Sequence, residues 1–177
     1  MLLPTNVQKF FYLNIESFKQ GEYWRFLSAH LIHYSWMHCI SNVAGLVLLI
    51  TIFKNSKLYI YWFLASVVIA IAVSSGLIIF SNRLMWYVGF SGVLTGLYAY
   101  ASIKTYSENI KLSMVVLITL SIYVTIQILQ GELISSILIP DLKASSYAHA
   151  YGLCAGTLFG IFDNFITNHK VKVSTDR

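Results

Sequence analysis

Charged residues are few and widely spaced along this chain. Between successive charges lie five long apolar stretches, residues 26–53, 58–82, 84–103, 112–131 and 144–162, each 19 to 28 residues long and 112 residues in total. A helix needs ~20 mostly apolar residues to cross the hydrocarbon core, so every stretch is long enough to span, and none is as short as the apolar region of a signal peptide. None shows the ~10-residue alternation of a membrane barrel. The pattern predicts an all-α, polytopic membrane helical bundle with five spans. The first helix starts near Trp36, after an amphipathic stretch at residues 24–33 expected to lie at the membrane surface or dip into it. The others cover about 58–80, from about Gly89, about 112–129 and about 146–166, with a loop at 81–86 and a longer connection holding Gly131 and Pro140.

Composition agrees. The 177 residues are 57% apolar and 11% charged, against about 25% charged in a soluble domain. The net charge of +5 comes from 12 Lys/Arg and 7 Asp/Glu that sit in ones and twos at the ends of the apolar stretches, which argues for topology signals and against nucleic acid as a partner. Grouping Lys54, Lys57, Lys104, Lys111, Lys170, Lys172 and Arg177 on one side leaves Lys9, Lys19, Arg25, Arg83 and Lys143 on the other. By the positive-inside rule the first set is cytoplasmic. The chain then divides into a polar N-terminal segment (1–25), a transmembrane unit (26–167) and a cytoplasmic tail (168–177). Trp36, Tyr59, Trp62, Trp86 and Tyr87 fall near stretch ends and read as interfacial anchors, and Cys39 and Cys154 as small buried residues with no disulfide framework.

Polar groups deep in an apolar bundle are costly, so they are candidates for function. His38 and Asn42 stand one helical turn apart and share a face. Ser91 opens the third helix between small residues in Gly89-Phe90-Ser91-Gly92, and His149 lies near the start of the fifth. Gly92 and Gly96 repeat every four residues after Ser91, as do Gly152, Gly156 and Gly160 after His149. Rows of small residues let helix backbones approach closely in lipid, and packing along these rows brings Ser91 to His149. A serine beside an imidazole is an activated nucleophile, and His38, Asn42 and the Ser91 N–H would form an oxyanion hole. Each feature alone also has a structural reading: a lone serine bonds back to its own helix, and a glycine row serves packing. His30, His33 and His38 suggest zinc by type, yet no H-E-x-x-H is present and no carboxylate lies inside a stretch. His30 and His33 read instead as hydrogen-bonding anchors of the surface segment, and His169 as a solvated residue of the tail.

Together these residues resemble the rhomboid intramembrane serine proteases over Gly21 to Asp163: Trp24-Arg25 followed by His33, His38-x-x-x-Asn42, Gly89-Phe90-Ser91-Gly92, and Ala148-His149-x-x-Gly152-x-x-x-Gly156 ending in Gly160-x-Phe162-Asp163. The resemblance implies Ser91 as nucleophile and His149 as base in a dyad with no acidic third member, His38 and Asn42 assisting the oxyanion, and neither metal nor cofactor. Gly21-Glu22-Tyr23-Trp24-Arg25, Ala29-His30-Leu31-Ile32-His33, Ser91-Gly92-Val93-Leu94 and the lack of a cytosolic domain look most like the rhombosortase branch. That branch implies a multi-pass protein of the bacterial inner membrane, a site opening to the periplasm, a cytoplasmic C-terminus, and transmembrane substrates with C-terminal Gly-Gly-type sorting tails. Two departures stand out. Thr95 occupies the position where rhomboids place a tyrosine, and rhombosortases a histidine, to support the catalytic imidazole. Five spans replace six, with Leu2-Leu3-Pro4 as the remnant of the first helix, pointing to an upstream start or a truncated gene. The alternatives are an inactive relative that binds transmembrane clients and, disfavoured by the charge-free stretches, a transporter.

Overall fold

A computed structural model describes residues 4–54, 59–80, 86–135 and 141–175. The helices are α1 (Thr5–Lys9), α2 (Ile15–Lys19), α3 (Arg25–Ser28) with a 3-10 turn (Ala29–Leu31), α4 (Trp36–Ile52), α5 (Tyr59–Phe80), α6 (Ser91–Lys104), α7 (Ile110–Ser135) and α8 (Asp141–Thr175). Among the described residues the sole β-type pairing is an antiparallel bridge between Leu13 and Tyr87. The fold is all-helical, as the apolar stretches predict. Lys57, most of the 81–86 loop including Arg83, Pro140, Asp176 and Arg177 lie outside the described residues, as do Leu2 and Leu3 and the side chains of Tyr59, Lys143, His169, Lys170 and Lys172.

Among the described residues, length and composition qualify two helices to cross a membrane, within Tyr61–Phe80 and Ile110–Gln130, and a third if Arg25–Leu31 and Trp36–Ile52, bent by 95°, form one span. α6 falls short because it has only 14 residues. α8 mixes its apolar residues with Gly, Ser, Tyr, His and Thr. Both α7 and α8 run past the expected ends, α7 to Ser135 and α8 from Asp141 to Thr175. Polarity ends an apolar stretch, but a helix continues until its backbone hydrogen bonds or a breaking residue stop it.

α6 is the central strut, with residues of every face buried, from Val93 and Leu97 to Ala99, Tyr100 and Ala101. A helix apolar on all sides belongs inside a bundle. Against it lies one face of α5, where Trp62, Ala65, Ile69, Val73 and Leu77 are buried at helical spacing while Phe63, Leu64, Val68 and Ile71 remain exposed on the other faces. α8 meets α6 along the two glycine rows. A β-carbon on Gly92 would come within 2.9 Å of the Ala148 carbonyl oxygen, and one on Gly96 within 2.6 Å of that of Gly152. Only hydrogen at these α-carbons permits backbone-to-backbone contact. The far end of the strut is tied down by charge and hydrogen bonds: Lys104 pairs with Asp163 at 2.8 Å, Tyr100 donates to Asp163 at 2.8 Å, and Asn164 donates to the Ile103 carbonyl at 3.1 Å.

The N-terminal segment is more ordered than its polarity suggests. Arg25 is buried rather than a free topology charge. Its guanidinium meets Glu22 at 2.6 Å, donates to the carbonyls of Lys9 (2.8 Å) and Tyr12 (2.7 Å) and lies over the Phe10 ring. The amphipathic 24–33 stretch packs its polar groups inward and leaves Trp24, Leu27 and Leu31 exposed. His30 is buried, with Nε2 3.1 Å from the Ala70 carbonyl and 3.0 Å from the Ser74 hydroxyl, and Nδ1 3.3 Å from the Gly89 carbonyl. It therefore pins the 3-10 turn to α5 and to the loop before α6. Four interfacial or buried assignments are corrected. Trp62 and Tyr87 are core residues, and the Tyr87 hydroxyl donates to the Gly89 carbonyl. Cys154 is exposed and Cys39 only half-buried.

Candidate active site

Ser91 is the first residue of α6, preceded by Gly89 at φ +121°. This left-handed backbone, unfavourable for a side chain, swings the chain into the helix. A β-carbon there would also collide with the His38 ring. At the start of a helix the backbone N–H groups lack intrahelical acceptors, so the Ser91 N–H is available to the space in front of its own side chain.

Across the glycine contact His149 is buried on α8. Its Nε2 lies 2.8 Å from the Ser91 hydroxyl oxygen. The two residues are thus brought together as the glycine rows predict. His38 and Asn42 line the same cavity, of about 370 Å³, whose walls also include Tyr34 and Leu120. His38 is fixed by ring contacts, edge-on to His33 with centroids 5.0 Å apart and tilted on Tyr34 at 4.7 Å. Its Nδ1 is buried without a partner among the described residues. Asn42 is buried and uses one amide hydrogen on the His38 carbonyl at 3.0 Å. An amide carries two hydrogens, so one remains.

Outside the membrane helices, burial and the neighbouring His38 hold His33 below the ordinary histidine range. Burial pushes the Tyr87 phenol above the usual tyrosine value. Of the histidines weighed as metal ligands, His30 is engaged with carbonyls and a hydroxyl, while His33 packs against His38. Among the described residues no three His, Cys, Asp or Glu side chains gather into a ligand set.

Thr95 does not hold the imidazole. Its hydroxyl donates to the Ser91 carbonyl, one turn back on its own helix, at 2.9 Å. The second nitrogen of His149 meets a residue that pattern reading passed over: Nδ1 is hydrogen-bonded to the side-chain carbonyl oxygen of Gln127 on α7. The Gln127 amide nitrogen donates to the Tyr123 hydroxyl at 2.7 Å, and the Tyr123 ring is tilted against His149 with centroids 5.8 Å apart. A signal was present. Gln127 is an amide well inside the fourth apolar stretch, four residues after Tyr123, and the cost of polar groups in lipid applied to it as it did to Asn42.

A half-buried serine paired with a buried imidazole at the start of an interior helix, in a helical protein with segments long and apolar enough to cross a membrane, places this chain among integral membrane proteins. A family model for the rhomboid domain matches residues 20–164. The chain belongs to the rhomboid family, whose enzymes are intramembrane serine proteases. No curated protein matches it.

Proposed function

We propose that this protein is an intramembrane serine endopeptidase that hydrolyses a peptide bond in or beside the transmembrane segment of membrane-anchored proteins. The observation that carries the reading is the 2.8 Å contact between Ser91 Oγ and His149 Nε2. Ser91 Oγ attacks the substrate carbonyl carbon as His149 takes its proton at Nε2. The resulting oxyanion is met by the Ser91 N–H, Asn42 and His38. When the intermediate collapses, the C–N bond breaks and the same proton passes from His149 to the leaving nitrogen. Water, activated by the neutral imidazole, then hydrolyses the acyl-enzyme. The donors are all uncharged at rest, which suits a site among apolar helices. The reaction calls for no metal or cofactor.

In this reading α4 to α8 are the five spans of one catalytic unit in a bacterial inner membrane, with the Ser91 end of α6 towards the periplasm and residues 168–177 in the cytoplasm. The charge distribution and the Lys104–Asp163 pair at the opposite end of α6 support that orientation. Likeness to the rhombosortase motifs supports substrates with Gly-Gly-type C-terminal sorting tails. The test uses protein in vesicles with a tailed substrate and a serine-reactive fluorophosphonate. Wild type is labelled and cleaves, whereas Ser91→Ala and His149→Ala do neither while accumulating normally in the membrane. If wild type neither labels nor cleaves, the chain is instead a client-binding relative without activity.

A further inference from the structure

A serine–histidine pair works as a base only in one tautomer. Nε2 must be bare to receive the serine proton, so the ring hydrogen must sit on Nδ1, and something must accept from it. In enzymes with a triad a carboxylate fills that place. Among the described residues no carboxylate contacts His149, and the Thr95 hydroxyl, one turn after Ser91, is spent on the Ser91 carbonyl. The Gln127 carbonyl oxygen faces Nδ1, while its amide nitrogen is held by the Tyr123 hydroxyl.

We propose that Gln127, held by Tyr123, is the positioning residue that keeps the Nδ1 hydrogen and ring plane of His149 in the form able to deprotonate Ser91. The inference rests on the protease reading. The chemistry decides which way the amide must point. With its carbonyl towards His149, Gln127 accepts from Nδ1–H and leaves Nε2 as the proton acceptor. Rotated by 180°, its NH2 group would donate to Nδ1, place the hydrogen on Nε2 and make the imidazole a donor to Ser91, which cannot start the reaction. A neutral amide gives this orientation without introducing a carboxylate among apolar helices, where charge is costly. It also places the support on a different helix from the nucleophile: α6 supplies Ser91, α8 supplies His149, and α7 supplies the group that orients it.

The test compares Gln127→Met, Gln127→Glu and Tyr123→Phe with wild type in the full-length protein reconstituted in vesicles. Nitrogen-15 NMR of histidine-labelled protein reads the His149 tautomer, assigned by the signal lost in His149→Ala. Fluorophosphonate labelling reads Ser91 reactivity. Wild type is expected to carry the hydrogen on Nδ1. Gln127→Met, similar in length and a good helix former, should show mixed tautomers and label ~10- to 100-fold more slowly, a part of the ~10²–10⁴-fold that general-base assistance supplies, with kcat lowered and KM unchanged. Gln127→Glu, whose carboxylate still accepts from Nδ1–H, should label at least as fast as wild type. Tyr123→Phe should slow labelling several-fold. Wild-type tautomer and rate in Gln127→Met, or a Gln127→Glu protein no faster than Gln127→Met, overturns the role. A wild type whose His149 carries its hydrogen on Nε2 overturns it as well. Absence of any labelling in wild type, with the Nδ1 tautomer present, instead overturns the protease reading and with it the catalytic purpose of the contact. If Gln127→Met does not fold, the Gln127→Glu and Tyr123→Phe proteins carry the same decision.

Discussion

Gly96 and Gly152 face each other so closely that a single methyl on Gly96 would meet the Gly152 carbonyl oxygen at 2.6 Å. The obstacle is backbone, which cannot rotate aside as a side chain would. Gly96→Ala should therefore push α6 and α8 apart, cost about 1–3 kcal/mol as overpacking does, and separate Ser91 from His149. Thermal unfolding in detergent and fluorophosphonate labelling should fall together. Labelling at the wild-type rate in Gly96→Ala would show that the dyad does not depend on this contact.

Thr95 gives the opposite expectation. Because its hydroxyl bonds to the carbonyl of its own helix, Thr95→Val keeps the shape and removes a bond worth about 0.5–1.5 kcal/mol. Labelling and cleavage should stay within threefold of wild type. A loss as large as that of Gln127→Met would return support of the imidazole to Thr95.

Asn42 tests the proposed oxyanion hole apart from nucleophile activation. In the proposed mechanism Asn42→Ala removes one oxyanion donor, for which losses of about 10²–10³ in kcat are typical. Its effect on substrate KM should be small and its membrane abundance normal. Equal kcat in Asn42→Ala and wild type would assign the oxyanion to the Ser91 N–H and His38 alone.

Arg25 tests the N-terminal segment. Its fork joins Glu22 to two carbonyls sixteen and thirteen residues back along the chain. Lysine has one nitrogen and cannot reproduce a planar, multiply bonded arrangement. Arg25→Lys should release residues 5–20 to limited proteolysis and lower stability by about 1–3 kcal/mol, the cost of leaving buried acceptors unpaired. Protease resistance equal to wild type would mean that aromatic packing at Phe10 and Trp24, stacked at 5.3 Å, holds the segment alone.

Much of this architecture was legible before any coordinates. Gaps between charges located α4 to α8 because a charged side chain in lipid is expensive whatever its context. Glycines at four-residue spacing foretold the α6–α8 contact and hence the meeting of Ser91 and His149. Other features depend on partners distant in sequence. Trp62 and Tyr87 read as interfacial anchors because hydropathy does not distinguish a ring at the headgroups from one in the core. Arg25 read as a topology signal because its acceptors are carbonyls, which composition does not reveal. Gln127 was passed over because an amide in a β-branched helix has many structural uses, and only the packing of α7 against α8 turns it towards an imidazole.

The shortness of α6 has a geometric consequence. Fourteen residues rise about 21 Å, less than the ~30 Å of hydrocarbon. If the Lys104 end, paired with Asp163 at 2.8 Å, meets one boundary as the proposed function has it, the Ser91 end stops roughly a third of the way short of the other. In that placement the Ser91 hydroxyl lies at the floor of a well open on the far side, and the proposed hydrolysis takes in its water and releases its amine through that one mouth, with no passage for ions across the bilayer.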